Sequence, residues 1–388
     1  MGTSKLEDVS KFFQIIINVC KKIVVTSSCV AGMERRKVFI LLCLTLSGKL
    51  LIEKENKLKR YLAYILIFLI LCFSIPVIFT NKAKQTISNN TENKEEPQTV
   101  ANYDYKQYNK VKLLHTSTNK IEELGLDEYL YGVVSSEMPA SFEKEALKAQ
   151  AVVARTYTLY KITNGTKKHG DANICDSSAC CQAWISKENR LAKWKEENRT
   201  EYWNKIVNAV NETKGKMITY EGKPINAFFH SNSGGYTEAP LNVWGGSGYP
   251  YLKSVETSGE DAYSQYSSKA TFTKKEFQEK IKKVHNNFKI DFSKEDCIKV
   301  KEYTEGNRVK TVQIGNLELS GVEVRTLLGL RSANFKVTIE KDDIIFEVIG
   351  YGHGVGMSQT GADSLAKQGK NYEEIIHHFY SGVKIQDI

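Results

Sequence analysis

Residues 61–80 (YLAYILIFLILCFSIPVIFT) form a run of twenty residues without a single charge. At about 1.5 Å per residue, a helix of that length spans roughly 30 Å, the thickness of a bilayer's hydrocarbon core. The basic segment KENKLKR (54–60) precedes it. Because positive residues stay in the cytoplasm, we expect a transmembrane helix with its N-terminus inside and all later residues outside. A cleaved signal peptide is a less favoured interpretation, because no small-x-small cleavage site follows the segment. A buried core helix is also less favoured, because it would not need basic residues beside it.

The sequence on either side of this segment divides the chain into further parts. Residues 1–60 are expected to be a cytoplasmic tail, and a start of translation further downstream is the alternative, since 1–52 show no organised pattern. Residues 81–104 are polar and typical of a flexible tether. Residues 105–388 are predicted to form one extracytoplasmic domain. The formal net charge of +9 permits a polyanionic partner, but no nucleic-acid-binding signature accompanies it.

The predicted extracytoplasmic domain mixes helical and strand patterns. Helices are predicted at 127–138, before Pro139, and at 142–157, where apolar residues recur every three or four positions. A lysine-rich helical stretch at 272–287 indicates a smaller lobe or insertion. Strand-like runs occupy 216–222, 225–231, 309–315, 334–340 and 343–350. Since β-α alternation is absent, the pattern predicts an α+β fold: mixed strands and helices around a groove, the smaller lobe, and one N-terminal transmembrane helix.

The motif SSEMP (135–139) places Glu137 at the end of a predicted helix. Carbonyl dipoles at that end, together with burial, raise the pKa of a carboxyl group. A carboxyl group that stays protonated near neutral pH can act as a general acid toward a sugar leaving group. A solvated glutamate at a helix end is the alternative that the residues alone leave open.

The run GYGHGVGMSQ (350–359) has glycines at alternate positions, which let a backbone approach a ligand closely. His353 and Gln359 are its candidate ligand-contacting residues. The run does not fit a dinucleotide-binding loop, whose third glycine would fall at Met357, and no Gly-Lys-Ser/Thr follows as in a P-loop. A tight strand-to-helix turn explains the glycines as well, and the two interpretations are compatible.

The run HSNSGG (230–235) follows a strand-like segment. Small polar residues at a strand end suit the recognition of hydroxyl groups, and a plain turn is the alternative. The candidates for binding here are Ser231, Asn232 and Ser233.

Four possible metal ligands fall within thirteen residues: His169, Cys175, Cys180 and Cys181. They suit a tetrahedral structural zinc ion, although the spacing is not a common template, and a closed four-ligand site leaves no position for a catalytic water. A disulfide from Cys175 to Cys180 or Cys181 is the alternative that an extracytoplasmic location permits. Free thiols without a metal are the other alternative.

Three longer runs occur in a fixed order: EYLYGVVSSEMPASFEKEALKAQAVVARTYTLY (128–160), FFHSNSGGYTE (228–238) and GYGHGVGMSQTGADSLAKQG (350–369). Together with the N-terminal anchor, they resemble the stage II sporulation protein D family of endospore-forming bacteria, which also includes the amidase enhancers. The resemblance covers roughly residues 110–388.

The resemblance implies a lytic transglycosylase. Such enzymes cut the bond between N-acetylmuramic acid and N-acetylglucosamine in peptidoglycan strands stripped of stem peptides, and leave 1,6-anhydro ends. Glu137 would be the catalytic residue, first protonating the glycosidic oxygen and then accepting the proton of the muramic 6-hydroxyl as it attacks C1. This reaction needs neither water nor a second carboxylate, unlike ordinary glycoside hydrolysis. Glu238 and Asp261 are the loose alternatives for a second acid.

The resemblance also implies ligands and partners. Some sporulation members hold zinc in a His/Cys cluster, which favours Zn²⁺ at the four candidate ligands, as a structural ion not required for the chemistry. The implied partners are the glycan strands, a sporulation amidase and a multispanning membrane protein, and nucleic acid is not expected. The resemblance places the protein's action during engulfment, on the mother-cell side of the intermembrane space. The expected substrate-binding residues are Arg155, Ser231, Asn232, Ser233, His353 and Gln359.

Two other functions are alternatives to a transglycosylase. A non-catalytic module that binds peptidoglycan and activates a cell-wall amidase fits the enhancer branch of the family. A zinc-dependent amidase or peptidase is less favoured, because the sequence has no His-Glu-x-x-His pair and no open three-ligand pattern.

Overall fold

The computed structural model of the protein describes residues 105–165 and 167–388. Helices and strands follow one another irregularly, and the strands form several small sheets, so the predicted α+β class is confirmed. None of the helices in these two ranges is long and apolar enough to cross a bilayer. The predicted tail (1–60), transmembrane helix (61–80) and tether (81–104) lie outside the described residues.

Nine α-helices occur in the described part of the chain. They are α1 (Leu126–Glu137), α2 (Lys144–Asn164), α3 (Lys187–Lys193), α4 (Glu196–Glu212), α5 (Pro240–Trp244), α6 (Lys274–Lys282), α7 (Gly321–Leu328), α8 (Gln359–Lys367) and α9 (Tyr372–Phe379). Short 3-10 helices lie at Tyr105–Tyr108, Lys167–His169 and Glu260–Ala262.

Helix α2 is the centre of the main core. It has 21 residues and is therefore longer than predicted, ending at Gly165, whose φ of 46° leaves helical geometry. Every residue from 149 to 159 is buried. A helix enclosed on all faces needs neighbours on all faces, and α1, α4, α8 and α9 pack around it. Helix α1 ends at Glu137 because Met138, which precedes a proline, is extended (φ −126°, ψ 136°).

The described residues contain fourteen strands. They are β1 (Lys110–His115), β2 (Lys120–Gly125), β3 (Ile174–Cys175), β4 (Lys216–Tyr220), β5 (Lys223–Pro224), β6 (Phe229–His230), β7 (Ser267–Thr273), β8 (Ile298–Tyr303), β9 (Val309–Ile314), β10 (Leu317–Ser320), β11 (Asn334–Glu340), β12 (Asp343–Ile349), β13 (Met357–Ser358) and β14 (Lys384–Asp387). Four of the five strand-like runs are confirmed as β4, β9, β11 and β12. Of the run 225–231, only the two residues of β6 form a strand.

The small sheets belong to two hydrophobic cores. The main core around α2 includes residues from two sheets, β2-β1-β3 and β14-β4-β5, and from the parallel pair β6-β13. Sheets β10-β9-β8 and β11-β12-β7 enclose a second core with α6 and α7. Helix α6 lies within the predicted lysine-rich stretch and buries Phe277 and Ile281 on one face. This second core corresponds to the smaller lobe that the sequence indicates.

Candidate functional site

A short parallel pairing joins the second and third motif runs. In it, Met357 of β13 lies opposite Phe229 of β6. The strands approach closely at Gly356, where φ is 73° and a Cβ atom would lie 2.0 Å from the backbone oxygen of Phe228. Only glycine meets both conditions without strain. The pairing fixes the start of α8, so that its first residue, Gln359, lies beside the end of α1.

A cavity of about 350 Å³ lies at the end of α1. All three motif runs contribute to its walls, and so does the segment that contains α3. Among the lining residues are Glu137, Arg190, Trp194, Ser231, Gln359 and Thr360. Three runs far apart in the sequence therefore converge on one cavity of a size typical of ligand sites.

The carboxyl group of Glu137 is half-buried in this cavity and held from two sides. Its Oε1 accepts a hydrogen bond of 2.5 Å from the backbone N–H of Ala183. Its Oε2 accepts one of 3.4 Å from the side-chain amide of Gln359. Burial raises the pKa of Glu137 above its usual value, and the two hydrogen bonds offset only part of that rise. The protonated form of this carboxyl group is therefore more favoured than that of a solvated glutamate.

The remaining predicted binding residues occupy different positions. Ser231 and Gln359 line the cavity with Glu137. Asn232 and Ser233 are fully buried behind it, and Asn232 Nδ2 donates to Thr360 Oγ1 at 2.8 Å. Their side chains therefore brace the wall of the cavity rather than face it.

His353 lies among aromatic rings and is not among the residues that line the cavity. Its ring centroid is 5.1 Å from that of Trp244, and its Nδ1 accepts a 3.0 Å hydrogen bond from the N–H of Val355. Burial, reinforced by the charges of Arg325 and Arg308, lowers the pKa of His353 to about 3, so its ring is neutral at physiological pH.

Arg155 is a correction to the predicted substrate-binding set. Its side chain is fully buried, and its guanidinium donates to the backbone oxygens of Thr213 at 2.8 Å and Val210 at 3.2 Å. The same group lies 3.5 Å from a carboxylate oxygen of Asp127. Arg155 thus joins the end of α4 to α1, and a ligand cannot reach it in this structure.

Neither loose candidate for a second acid shares the cavity. The Glu238 carboxylate is buried elsewhere and accepts hydrogen bonds from Asn242 Nδ2 at 2.7 Å and from the hydroxyl of Thr304. Asp261 is exposed. Within the described ranges, Glu137 is the one acidic residue among the lining residues of the cavity.

Glu260 is an important residue that the sequence did not indicate. It is 1% exposed and accepts hydrogen bonds from the backbone N–H groups of Ser233 and Gly235, each at 3.1 Å. Four hydroxyl groups also donate to it, those of Ser233, Thr257, Ser358 and Thr360. Burial raises the pKa of Glu260, but the hydrogen bonds from Ser233 and Ser358 outweigh it and hold the pKa below the usual value. A single glutamate at the start of a short 3-10 helix gives no sequence pattern by which this role can be recognised.

The four predicted metal ligands lie together. Their ligand atoms all fall within 4.8 Å of one another. His169 Nε2 is 3.3 Å from Cys181 Sγ and 3.6 Å from Cys180 Sγ, and the two sulfur atoms are 3.9 Å apart. Ligands of a tetrahedral ion bound at about 2.1–2.3 Å are separated by about 3.5–3.8 Å. The cluster therefore has the composition and dimensions to hold a metal ion.

None of the cysteines in the described ranges forms a disulfide, so the disulfide alternative is not present in this structure. The cluster also lies close to the cavity along the chain, because Ala183, which binds Glu137, follows Cys181 by two residues. The intervening Gln182 is fully buried and donates to the hydroxyls of Tyr129 at 2.9 Å and Thr158 at 2.8 Å. These contacts fix the loop against α1 and α2.

Comparison with known proteins gives the class. The family model described as Stage II sporulation protein (SpoIID) matches residues 114–220. The chain is 38% identical over 279 residues to stage II sporulation protein D of Bacillus amyloliquefaciens, covering 71% of this chain and 78% of that protein. The protein of the same name from Bacillus subtilis (strain 168) is 38% identical over 278 residues, with 71% and 79% covered. The chain therefore belongs to the stage II sporulation protein D family, as its sequence motifs predicted.

A relative with a different name also matches this chain in sequence. The amidase enhancer of Bacillus subtilis (strain 168) is 31% identical over 310 residues, which cover 66% of this chain and 40% of that protein. This chain is thus similar both to proteins named for sporulation and to a protein named as an amidase enhancer.

Proposed function

We propose that this protein is a lytic transglycosylase that acts during engulfment in sporulation. It cleaves the bond between N-acetylmuramic acid and N-acetylglucosamine in glycan strands stripped of stem peptides, and leaves 1,6-anhydro ends. The observation that carries the proposal is the half-buried carboxyl group of Glu137, which projects from the end of α1 into a cavity walled by all three family motifs.

Glu137 performs two proton transfers in the proposed reaction. Burial raises the pKa of Glu137, which favours the protonated carboxyl group, and this form protonates the glycosidic oxygen as the bond from that oxygen to C1 breaks. The resulting carboxylate accepts hydrogen bonds from Ala183 and Gln359. It then takes the proton of the muramic 6-hydroxyl while O6 bonds to C1, which closes the anhydro ring and restores the acid.

The lack of a second acid among the described residues that line the cavity favours this intramolecular route. Retaining and inverting hydrolases place two carboxyl groups about 5–9.5 Å apart across the scissile bond. Of the described residues that line the cavity, Glu137 is the one acid. A hydroxyl of the substrate itself supplies the nucleophile, so no partner carboxylate is needed to activate water or to attack C1.

We further propose that His169, Cys175, Cys180 and Cys181 hold a structural Zn²⁺ ion. Thiolate and imidazole ligands are the ones zinc prefers, and four of them close its coordination shell. The ion would tie the loop that follows β3 into one conformation. That conformation positions the N–H of Ala183, which hydrogen-bonds to Glu137.

The zinc proposal predicts about one zinc per chain by elemental analysis of the purified protein. Cys181→Ser removes one ligand and is expected to lower both the zinc content and the midpoint of thermal unfolding, because metal binding stabilises the folded loop. Cys297→Ser is the matched control, since Cys297 is a free cysteine outside the cluster. Wild-type protein without zinc, or equal zinc in Cys181→Ser, would contradict the proposal.

Residues 61–80 would anchor the enzyme as a single-pass membrane protein, with the catalytic domain on the mother-cell side of the intermembrane space. A sporulation amidase that removes stem peptides would supply the substrate, and a multispanning membrane protein would complete the assembly. The amidase enhancer relative supports a second candidate, a non-catalytic peptidoglycan-binding activator of such an amidase.

Product analysis separates these functions. Full-length protein in detergent is incubated in H₂¹⁸O with glycan strands that carry or lack stem peptides, and the fragments are read by mass spectrometry. We expect anhydro-ended fragments without ¹⁸O from the peptide-free strands. Reducing ends that contain ¹⁸O would mean hydrolysis. Binding to the strands without any cleavage would contradict the enzyme and favour the amidase activator.

A further inference from the structure

A second cavity of about 680 Å³ adjoins the one that contains Glu137. Both cavities are lined by Ser136 and Arg190, so they form one continuous depression. Trp184, Asn189 and Lys193 are among the other walls of the second cavity. Arg190, on α3, therefore stands at the boundary between the Glu137 site and a space large enough for a further part of a ligand.

The guanidinium of Arg190 has no counter-charge in the described part of the chain. It is half-buried, lies over the ring of Trp194 with 5.5 Å from Cζ to the ring centroid, and forms no ion pair with a described acidic side chain. Its Nε is buried and has no hydrogen-bond partner among the described residues. Burying a charge without a partner is costly, so such an arrangement is typical of a site completed by a ligand.

The neighbouring charge has the same sign. Lys193 lies three residues further along α3 and lines the same cavity, and it is exposed. Two cations three residues apart on a helix, next to a cavity and without an acidic partner among the described residues, attract an anion. Since a guanidinium presents a planar fork of donors, it matches a carboxylate in particular.

We propose that Arg190, assisted by Lys193, binds the lactyl carboxylate of a muramic acid residue next to Glu137. This inference rests on the proposed function. In a strand stripped of stem peptides the lactyl group ends in a free carboxylate, whereas an attached peptide converts the same carbon to a neutral amide. Arg190 would thereby select peptide-free strands through the charge of one group, in addition to any steric exclusion of the peptide.

The test measures binding without turnover, in protein that carries Glu137→Gln. One ligand is a peptide-free glycan strand with free lactyl carboxylates, and the other is the same strand with those carboxylates converted to methylamides. A hydrogen-bonded charge pair contributes about 1.5–3 kcal/mol, so we expect about 10- to 100-fold tighter binding of the free acid. Adding Arg190→Gln should reduce the ratio of the two affinities to about one, while the affinity for the methylamide strand stays unchanged.

Two further variants sharpen the result. Lys187→Gln removes the same charge from the same helix at an exposed residue that does not line either cavity, so it should keep the ratio. Arg190→Lys keeps the charge but not the fork, and should give an intermediate ratio. Equal binding of both strands by the Glu137→Gln protein, or a ratio that survives Arg190→Gln, would overturn the proposal. This experiment measures only binding, so its result does not depend on whether the protein cleaves the strands. Failure of this proposal can therefore be distinguished from failure of the proposed transglycosylase activity.

Discussion

Glu137→Gln is expected to abolish the formation of anhydro-ended fragments from peptide-free glycan strands. Glutamine has nearly the same shape, and its carbonyl oxygen can still accept the hydrogen bond from the N–H of Ala183. It can neither protonate the glycosidic oxygen nor accept the proton of the 6-hydroxyl. Since both proton transfers are lost, turnover should fall by at least about 10²- to 10⁴-fold, the contribution of one general acid–base group. Mass spectrometry of the fragments over time gives the rate.

Stability measurements separate lost chemistry from lost folding. Burial raises the pKa of Glu137 in the folded state above that in the unfolded chain. The favourable contribution of Glu137 to the free energy of unfolding is therefore fully present below its unfolded pKa, and it is lost as pH rises through its folded pKa. At pH 7 the glutamine variant should therefore unfold at the same temperature as wild type or a higher one. The difference in unfolding temperature between the variant and the wild type should disappear in acid, below about pH 4.

Glu128→Gln is the matched control for this experiment. Glu128 lies in the first turn of α1 and is exposed, so its replacement should leave cleavage unchanged and lower stability by no more than about 0.3–1 kcal/mol, the contribution of a charge near a helix N-terminus. Full activity in Glu137→Gln would remove Glu137 from the mechanism. A loss of activity accompanied by a clearly lower unfolding temperature would point instead to a structural role.

The α+β class and several candidate residues of the site were predicted from local patterns in the sequence. Apolar periodicity located α2, and the proline after Met138 predicted where α1 ends. Alternating polar residues located four strands. The shared motif order placed Glu137, Ser231 and Gln359 among the candidates, and these three do line one cavity. In each case the property that matters is encoded in residues close together in the chain.

Side-chain direction could not be predicted in the same way. Arg155 lies in a motif and on a helix, but the direction of its side chain depends on how α4 packs against α2. Asn232 and Ser233 face inward because Glu260 and Thr360, from elsewhere in the chain, hold them there. The role of Arg190 depends on the meeting of two cavities. These properties arise only from contacts over long sequence separations.

Glu260→Ala is expected to have the largest effect on stability. The carboxylate accepts hydrogen bonds from two backbone N–H groups and four hydroxyls, and it is 1% exposed. Removing it leaves buried donors without partners, so the free energy of unfolding should fall by about 3–5 kcal/mol. Denaturant unfolding measures this loss. Asp261→Ala, at the exposed neighbouring residue, is the matched control and should change little.

The pH dependence distinguishes a charged Glu260 from a merely space-filling one. Hydrogen bonds hold its pKa below the usual value, so its contribution to stability is present above the unfolded pKa and is lost as pH falls through the folded pKa. Glu260→Gln keeps the volume but not the charge, and it should therefore be less stable than wild type at pH 7 by more than at pH 4. A destabilisation that is equal at both pH values would show that shape alone matters. Ser358 and Thr360, which donate to Glu260, flank Gln359 at the start of α8. Glu260→Gln should therefore also slow cleavage, because Gln359 would no longer be held beside Glu137.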